Sequence, residues 1–207
     1  MIKQAVLASK RQGPIFMFGV QVPRNEKEAR ELNQEYTELN LPKQWEEAEK
    51  EEIAALGKYE AFYSCGNGTV RMTGYRRIHV FFVYAVKHDL CDQACLVARG
   101  HMTPDQGNSY SSVISLRAMR IAMFVGELNG LNIMVGDIGS AYLEAYTKEK
   151  VCFIAGPAFG EREGHLMVIV KALYGLQTSG ACYHEGFADT LHDMGFKQCI
   201  NKPDLWY

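Results

Sequence analysis

Residues 131–145, Leu-Asn-Ile-Met-Val-Gly-Asp-Ile-Gly-Ser-Ala-Tyr-Leu-Glu-Ala, constrain the fold more tightly than any other stretch of this chain. Leu131, Ile133 and Val135 recur at every second position, the spacing of one face of a β-strand, and the run ends on the carboxylate of Asp137. Such a strand carries the acid to an edge, where it stays hydrated and can hold a metal ion. Gly136, Gly139 and Ser140 leave backbone room beside it, and Tyr142 adds a flat ring.

Around this segment, helical and strand periodicities occur in separate blocks, which predicts an α+β fold. Residues 25–39 are Glu-rich and helical; after Leu41-Pro42 a second helix is marked by Trp45, Ala48, Ile53 and Leu56 and closed at Gly57. Apolar residues 78–87 and 94–99 flank Asp89-Leu90-Cys91-Asp92 and predict a β-hairpin. Ile114, Ala118, Ile121, Val125 and Leu128 repeat at helical intervals over 112–129 and stop at Gly130. That stretch is apolar on most sides, so burial is expected. Strands over 151–154 and 166–170 follow, then a helix over 179–194 with Tyr183, Phe187, Leu191 and Met194 as its inner face. Residues 1–17 are expected to connect, with Phe16, Phe18, Val20 and Val22 alternating as an edge strand toward Pro23.

Bulk properties exclude several classes of function. A chain of 207 residues, 47% hydrophobic and 22% charged, is long enough to bury a substantial core. Its longest apolar run, residues 78–86, is too short to cross a bilayer, and Met-Ile-Lys-Gln lacks the apolar block of a secretory signal. An intracellular protein with no membrane partner is expected. The six cysteines form no Cys-x-x-Cys pair, which favours reduced thiols over disulfides or a zinc site. The net charge of −2 hides a segregation: residues 24–60 carry 6 basic and 11 acidic side chains, whereas 61–207 carry 13 of each. No strong basic face is advertised. His184, Glu185 and His192 fit a wet helix face better than a metal site.

Three motifs stand in one order: Leu-Val-Ala-Arg-Gly-His at 96–101, Asp-Ile-Gly-Ser-Ala-Tyr-Leu at 137–143 and Lys-Ala-Leu-Tyr-Gly-Leu at 171–176. Upstream lie Trp45-x-x-Ala48-x-x-x-Glu52-x-x-x-Leu56 and Val86-Lys87-His88-Asp89, and downstream Asp193-Met-Gly-Phe-Lys and Lys202-Pro-Asp-Leu-Trp. With these, the chain from about Phe18 to Tyr207 resembles the copia-type retrotransposon reverse transcriptases, RNA-directed DNA polymerases.

The resemblance implies the fingers and an incomplete palm of a right-hand polymerase over residues 18–207. It implies nucleotidyl transfer, in which a primer 3′ hydroxyl attacks the α-phosphate of a deoxynucleoside triphosphate (dNTP) with two magnesium ions as cofactors. The partners implied are an RNA or DNA primer-template and dNTP, and the origin a polyprotein of the cytoplasm or of a virus-like particle. Asp137 matches the family's first catalytic, metal-binding aspartate, and the carbonyl of Ile138 would be a further oxygen ligand. Tyr142 stands where the family places a ring beneath the incoming sugar, excluding a 2′ hydroxyl. Lys87 resembles the basic residue that reaches the triphosphate, and the segment from Gly175 through Gln177 to Gly180 resembles the one lying near the template and the incoming base.

The sequence also departs from the family. The other two metal-binding carboxylates belong to a Tyr-Val-Asp-Asp hairpin, and no adjacent Asp-Asp pair occurs in the 207 residues. An incomplete magnesium site, and no polymerase activity from this chain alone, are therefore expected. The usual Lys-Ala-Arg before Leu96 is replaced by Gln93-Ala94-Cys95, and Gln177, Cys182, Tyr183 and Gly186 occupy positions that are commonly basic or tryptophan. Two expectations result: an inactive polymerase fragment, or a non-enzymatic remnant that binds nucleic acid or protein. A palm cut short should leave the Asp137 strand without its central neighbours, exposing apolar surface and lowering solubility.

Overall fold

The structure, a computed structural model, describes residues 13–39, 44–67, 72–103, 109, 111 and 113–207. Residues 1–12 of the expected connecting segment, the Leu41-Pro42 break and Ser112 lie outside the described residues. The alternation near the start folds as a hairpin, β1 (Ile15–Met17) with β2 (Val20–Val22), and not as one edge strand. Phe18 and Gly19 both take positive φ, 51° and 84°, and this left-handed pair reverses the chain.

Helix α1 (Glu26–Glu38) begins where the Asn25 side chain accepts the Glu28 N–H at 3.1 Å, and its first turn carries Glu26 and Glu28, matching the helix dipole. Helix α2 (Gln44–Lys58) continues through Gly57 instead of stopping there, and it buries Trp45, Ala48 and Leu56. The Asn33 side chain on α1 accepts the Trp45 N–H at 3.3 Å, joining the two helices.

Beyond them come β3 (Phe62–Asn67), β4 (Arg76–Arg77), the hairpin β5 (Val80–Val86) with β6 (Asp92–Ala98), and helix α3 (Leu116–Leu128). The chain then forms β7 (Val151–Ile154), β8 (His165–Ile169), helix α4 (Ser179–Asp193) and the pair β9 (Gln198–Cys199) and β10 (Lys202–Trp206). Four strands make one sheet in the order β3-β8-β7-β4, antiparallel except where β4 runs parallel to β7. The β5–β6 hairpin is separate, in unbroken register from Val80 opposite Ala98 to Val86 opposite Asp92. Its Phe82, Tyr84, Val86, Ala94 and Leu96 are buried, with the Trp45 ring edge-on to Tyr84 at 5.6 Å. Rings of Phe62, Phe153 and Phe159 within 5.8 Å of one another fill the core beside the four-stranded sheet.

Three further expectations are overturned. Residues 131–138 form no strand: they have no ladder partner among the described residues, and Met134 and Val135 are 94% and 89% exposed. Alternation makes a strand only where a neighbouring strand can take up its backbone bonds. Helix α3 forms, capped by the Ser115 side chain on the Ala118 N–H at 3.2 Å, yet none of its residues is buried. Leu116, Ile121, Phe124 and Leu128 face solvent because no described element packs on them. The inner face of α4 is also not the expected one, since Ser179, Ala181 and Cys182 are buried while Phe187 and Met194 are exposed. This helix docks through its first turn and not along its length.

Candidate functional site

The motif at 171–176 leaves β8 as an extended connector. Tyr146 and Lys171 form an antiparallel bridge, and Ala172 N–H bonds to the Ala145 carbonyl at 2.9 Å. The connector then runs along the outer edge of β6. There the Ala98 N–H donates to the Tyr174 carbonyl at 2.7 Å and the Gly100 N–H to the Gly175 carbonyl at 3.2 Å. Only glycines allow the approach: a Cβ on Gly175 would lie 2.2 Å from the Ala98 carbonyl oxygen, and one on Gly100 would lie 2.3 Å from the Gly175 carbonyl oxygen. Gly175 also sits at φ 89°. Further back on the same edge, the Glu52 carboxylate on α2 accepts the Leu96 N–H at 3.0 Å.

Tyr142 lies on a short 3-10 turn, Ala141–Glu144, entered through Ser140 in the left-handed region and anchored by buried Leu143. Its ring is 5.4 Å from the Tyr174 ring and 6.1 Å from that of Tyr183, and its hydroxyl would lie 3.9 Å from a Cβ placed on Gly180. The fold therefore gathers Tyr142, Tyr174 and the Gly175–Gly180 turn. Gln177 is there too, but its amide is committed, donating to the Gly100 carbonyl at 2.9 Å and the Thr103 carbonyl at 3.3 Å. It braces the turn.

Lys87 is exposed at the end of β5, in the tight turn closed by its own N–H on the Cys91 carbonyl. Its charge is felt at Cys95, whose thiol is nonetheless pushed up to about 11, chiefly by burial and further by Glu52. Burial likewise raises the Glu52 carboxyl and the Tyr174 hydroxyl, the latter with help from Cys95 and Glu52. A line of groups thus links Lys87, Cys95 and Tyr174 to Tyr142. Cys95 stands there as a neutral thiol. Asp137 and Ile138 are exposed on the irregular segment, and no group of three His, Cys, Asp or Glu that could hold a metal occurs among the described residues.

Residues 70–206 match the family described as Reverse transcriptase (RNA-dependent DNA polymerase), a span that contains the hairpin, the Tyr142 turn and the Gly175 turn. The chain belongs to that family. Among its relatives are the Transposon Ty1-BL and Ty1-LR2 Gag-Pol polyproteins of Saccharomyces cerevisiae, each 33% identical over 127 residues, which is 60% of this chain. The chain spans about 7% of the length of these curated relatives. No solved structure matches it. The copia-type resemblance in the motifs is borne out. Reverse transcriptases act on a template and primer and generally use divalent metal ions. Asp137 with the Ile138 carbonyl offers one carboxylate and one neutral oxygen, whereas magnesium demands a near-octahedral oxygen set with several anionic ligands. By themselves these residues do not fit paired magnesium ions.

The structure brings Tyr142 and the Gly175 turn together, and near them it places two carboxylates for which the sequence suggested no role, Glu52 on Leu96 and Glu149 on Thr178. Glu52 shares the helical phase of Trp45, Ala48 and Leu56, and that phase was the signal available for it. Glu149, buried between two lysines in sequence, reaches Thr178, 29 positions away, and had no local signal.

Proposed function

We propose that this chain supplies the fingers and the first part of the palm to the RNA-directed DNA polymerase of a copia-type retrotransposon, and that it binds a primer-template without completing nucleotidyl transfer alone. The observation that carries the reading is the seating of the Gly175 turn on the β6 edge with Tyr142 beside it. It sets a planar ring beside a glycine turn packed on β6, on a hairpin whose far end carries Lys87. In this reading Lys87 meets the triphosphate, Tyr142 lies under the sugar and disfavours a 2′ hydroxyl, and Gly175 brings backbone to the base pair. Gln177 contributes by holding residues 100–103 in place. Asp137 and the Ile138 carbonyl would be part of a larger magnesium site. All six cysteines are free thiols, which suits the reducing interior of a cell.

The test is an anisotropy titration of labelled primer-template at increasing salt, run beside a primer-extension assay with magnesium. Saturable binding that weakens with salt, and no extension, are expected. Efficient extension by the isolated chain, or no saturable binding at low salt, overturns the reading.

A further inference from the structure

The geometry points to Glu149 as the positioning residue of the Gly175–Gly180 turn: a carboxylate fixed to the four-stranded sheet that clasps the first turn of α4 and so holds the nucleotide-facing backbone against β6. The inference rests on the reading of that turn as nucleotide-facing and adds the residue that regulates its placement.

Glu149 is 3% exposed, an unusual setting for a carboxylate with no cation bonded to it among the described residues. One oxygen, Oε1, accepts both the Thr178 N–H at 3.0 Å and the Thr178 hydroxyl at 2.9 Å. The other, Oε2, is buried with no hydrogen-bond partner among the described residues. Leaving a carboxylate oxygen dry is costly, so stability alone is a poor reason to place an acid here. What the acid does supply is an anchor that α4 lacks. Thr178 precedes the helix in a helical conformation and makes no side-chain cap of its own, because its hydroxyl is turned to Glu149. The acid, brought in from outside the helix, takes over that end by accepting both Thr178 donors.

Glu149 is held from behind. Its N–H donates to the Thr147 hydroxyl at 3.1 Å, its carbonyl receives the Val151 N–H at 3.1 Å, and Thr147 N–H bonds the Val170 carbonyl at 2.9 Å. The neighbouring Lys148 pairs with Glu185 further along α4. On the far side the Ser179 hydroxyl bonds to the Leu173 carbonyl at 2.6 Å. The turn between Tyr174 and Thr178 is therefore gripped in front by β6 and behind by Glu149 and Ser179. Releasing Glu149 frees the rear attachment at Thr178 while leaving the Ser179 bond and the sheet in place.

The experiment compares the full chain with Glu149→Gln, Glu149→Asp and Glu149→Ala by amide hydrogen exchange, and by titration with primer-template plus dNTP. Glutamine keeps an oxygen at the same reach, so exchange and affinity should stay within about twofold of the parent. Aspartate keeps the charge but is one methylene short, and alanine keeps neither. Both should raise exchange at residues 174–182 by at least about tenfold, with β7 and β8 unchanged, and weaken binding by about the same factor. Should alanine fail to fold, the glutamine and aspartate pair decides. Unchanged exchange at 174–182 in aspartate, loosening equal in β7 and β8, or glutamine as damaging as aspartate overturns the proposal. If the parent binds no primer-template, the functional reading falls and the exchange pattern alone decides for or against Glu149 as the clasp.

Discussion

Burial, more than any neighbouring charge, decides the state of the groups around the turn. At Glu52 it raises the carboxyl above its ordinary 4.5 although the Leu96 N–H pulls the other way, and Glu49 and Asp92 are raised by burial too. A folded-state value above the unfolded one means that the native protein binds the proton more tightly. That part of the stability is present below the ordinary carboxylate range and is lost as pH rises through the raised folded values. Glu52→Gln keeps an acceptor for Leu96 and removes one titrating group. It should leave the protein as stable as the parent or up to about 1 kcal/mol more stable at pH 7, with a shallower fall as pH rises above the ordinary carboxylate range, as read from urea melts. A variant markedly weaker at pH 7 would show that the charge itself matters. The same burial keeps Cys95 a neutral thiol where the family resemblance puts an arginine. Residue identity at 95 was legible in the sequence; its protonation required knowing that Glu52 and Tyr174 enclose it.

Among the elements, the hairpin behaves as its local pattern foretells, whereas the seating of the Gly175 turn on β6 rests on contacts between residues far apart in the chain. The β5–β6 register follows the apolar alternation on either side of residues 87–91, where Leu90 adopts φ 65° to close the turn. For the connector the constraint is contact. Gly175→Ala would set a methyl 2.2 Å from the Ala98 oxygen and 2.7 Å from Val97 Cγ1 at φ 89°, costing roughly 2–5 kcal/mol or dislodging the turn from β6. Gly136→Ala meets nothing within 4 Å and should change stability by less than about 0.5 kcal/mol. Thermal melts of the two variants side by side test this, and equal effects would mean that the glycine contact is not what seats the turn. Helix α3 shows where element-level reading stops. Its apolar spacing predicts a helix correctly, but burial belongs to whatever lies beside it, and spacing carries no information about that.

Taken whole, the molecule has a well-filled core between α2, the hairpin and the four-stranded sheet, and a second region that is apolar without being covered. Leu116, Phe124, Leu128, Met134 and Val135 are each at least 60% exposed. No helix among the described residues is long and apolar enough to cross a membrane. Surface of this kind drives self-association. The chain should bind an apolar dye and show a sedimentation coefficient that rises with concentration, while Phe124→Glu with Val135→Glu should suppress both and leave the melting temperature within about 2 °C. A dye-silent monomer at every concentration would refute this. By itself the sequence determined the family, the hairpin and the order of the motifs, since these are written in local periodicity and in residue identities at short spacing. Only the tertiary structure decided that Glu149 clasps Thr178, that Gln177 spends its amide on Gly100 and that the Asp137 segment lies open to water. Those outcomes depend on which surfaces meet across separations of 29 and 77 residues, and on whether a neighbour is there to meet, neither of which leaves a local mark.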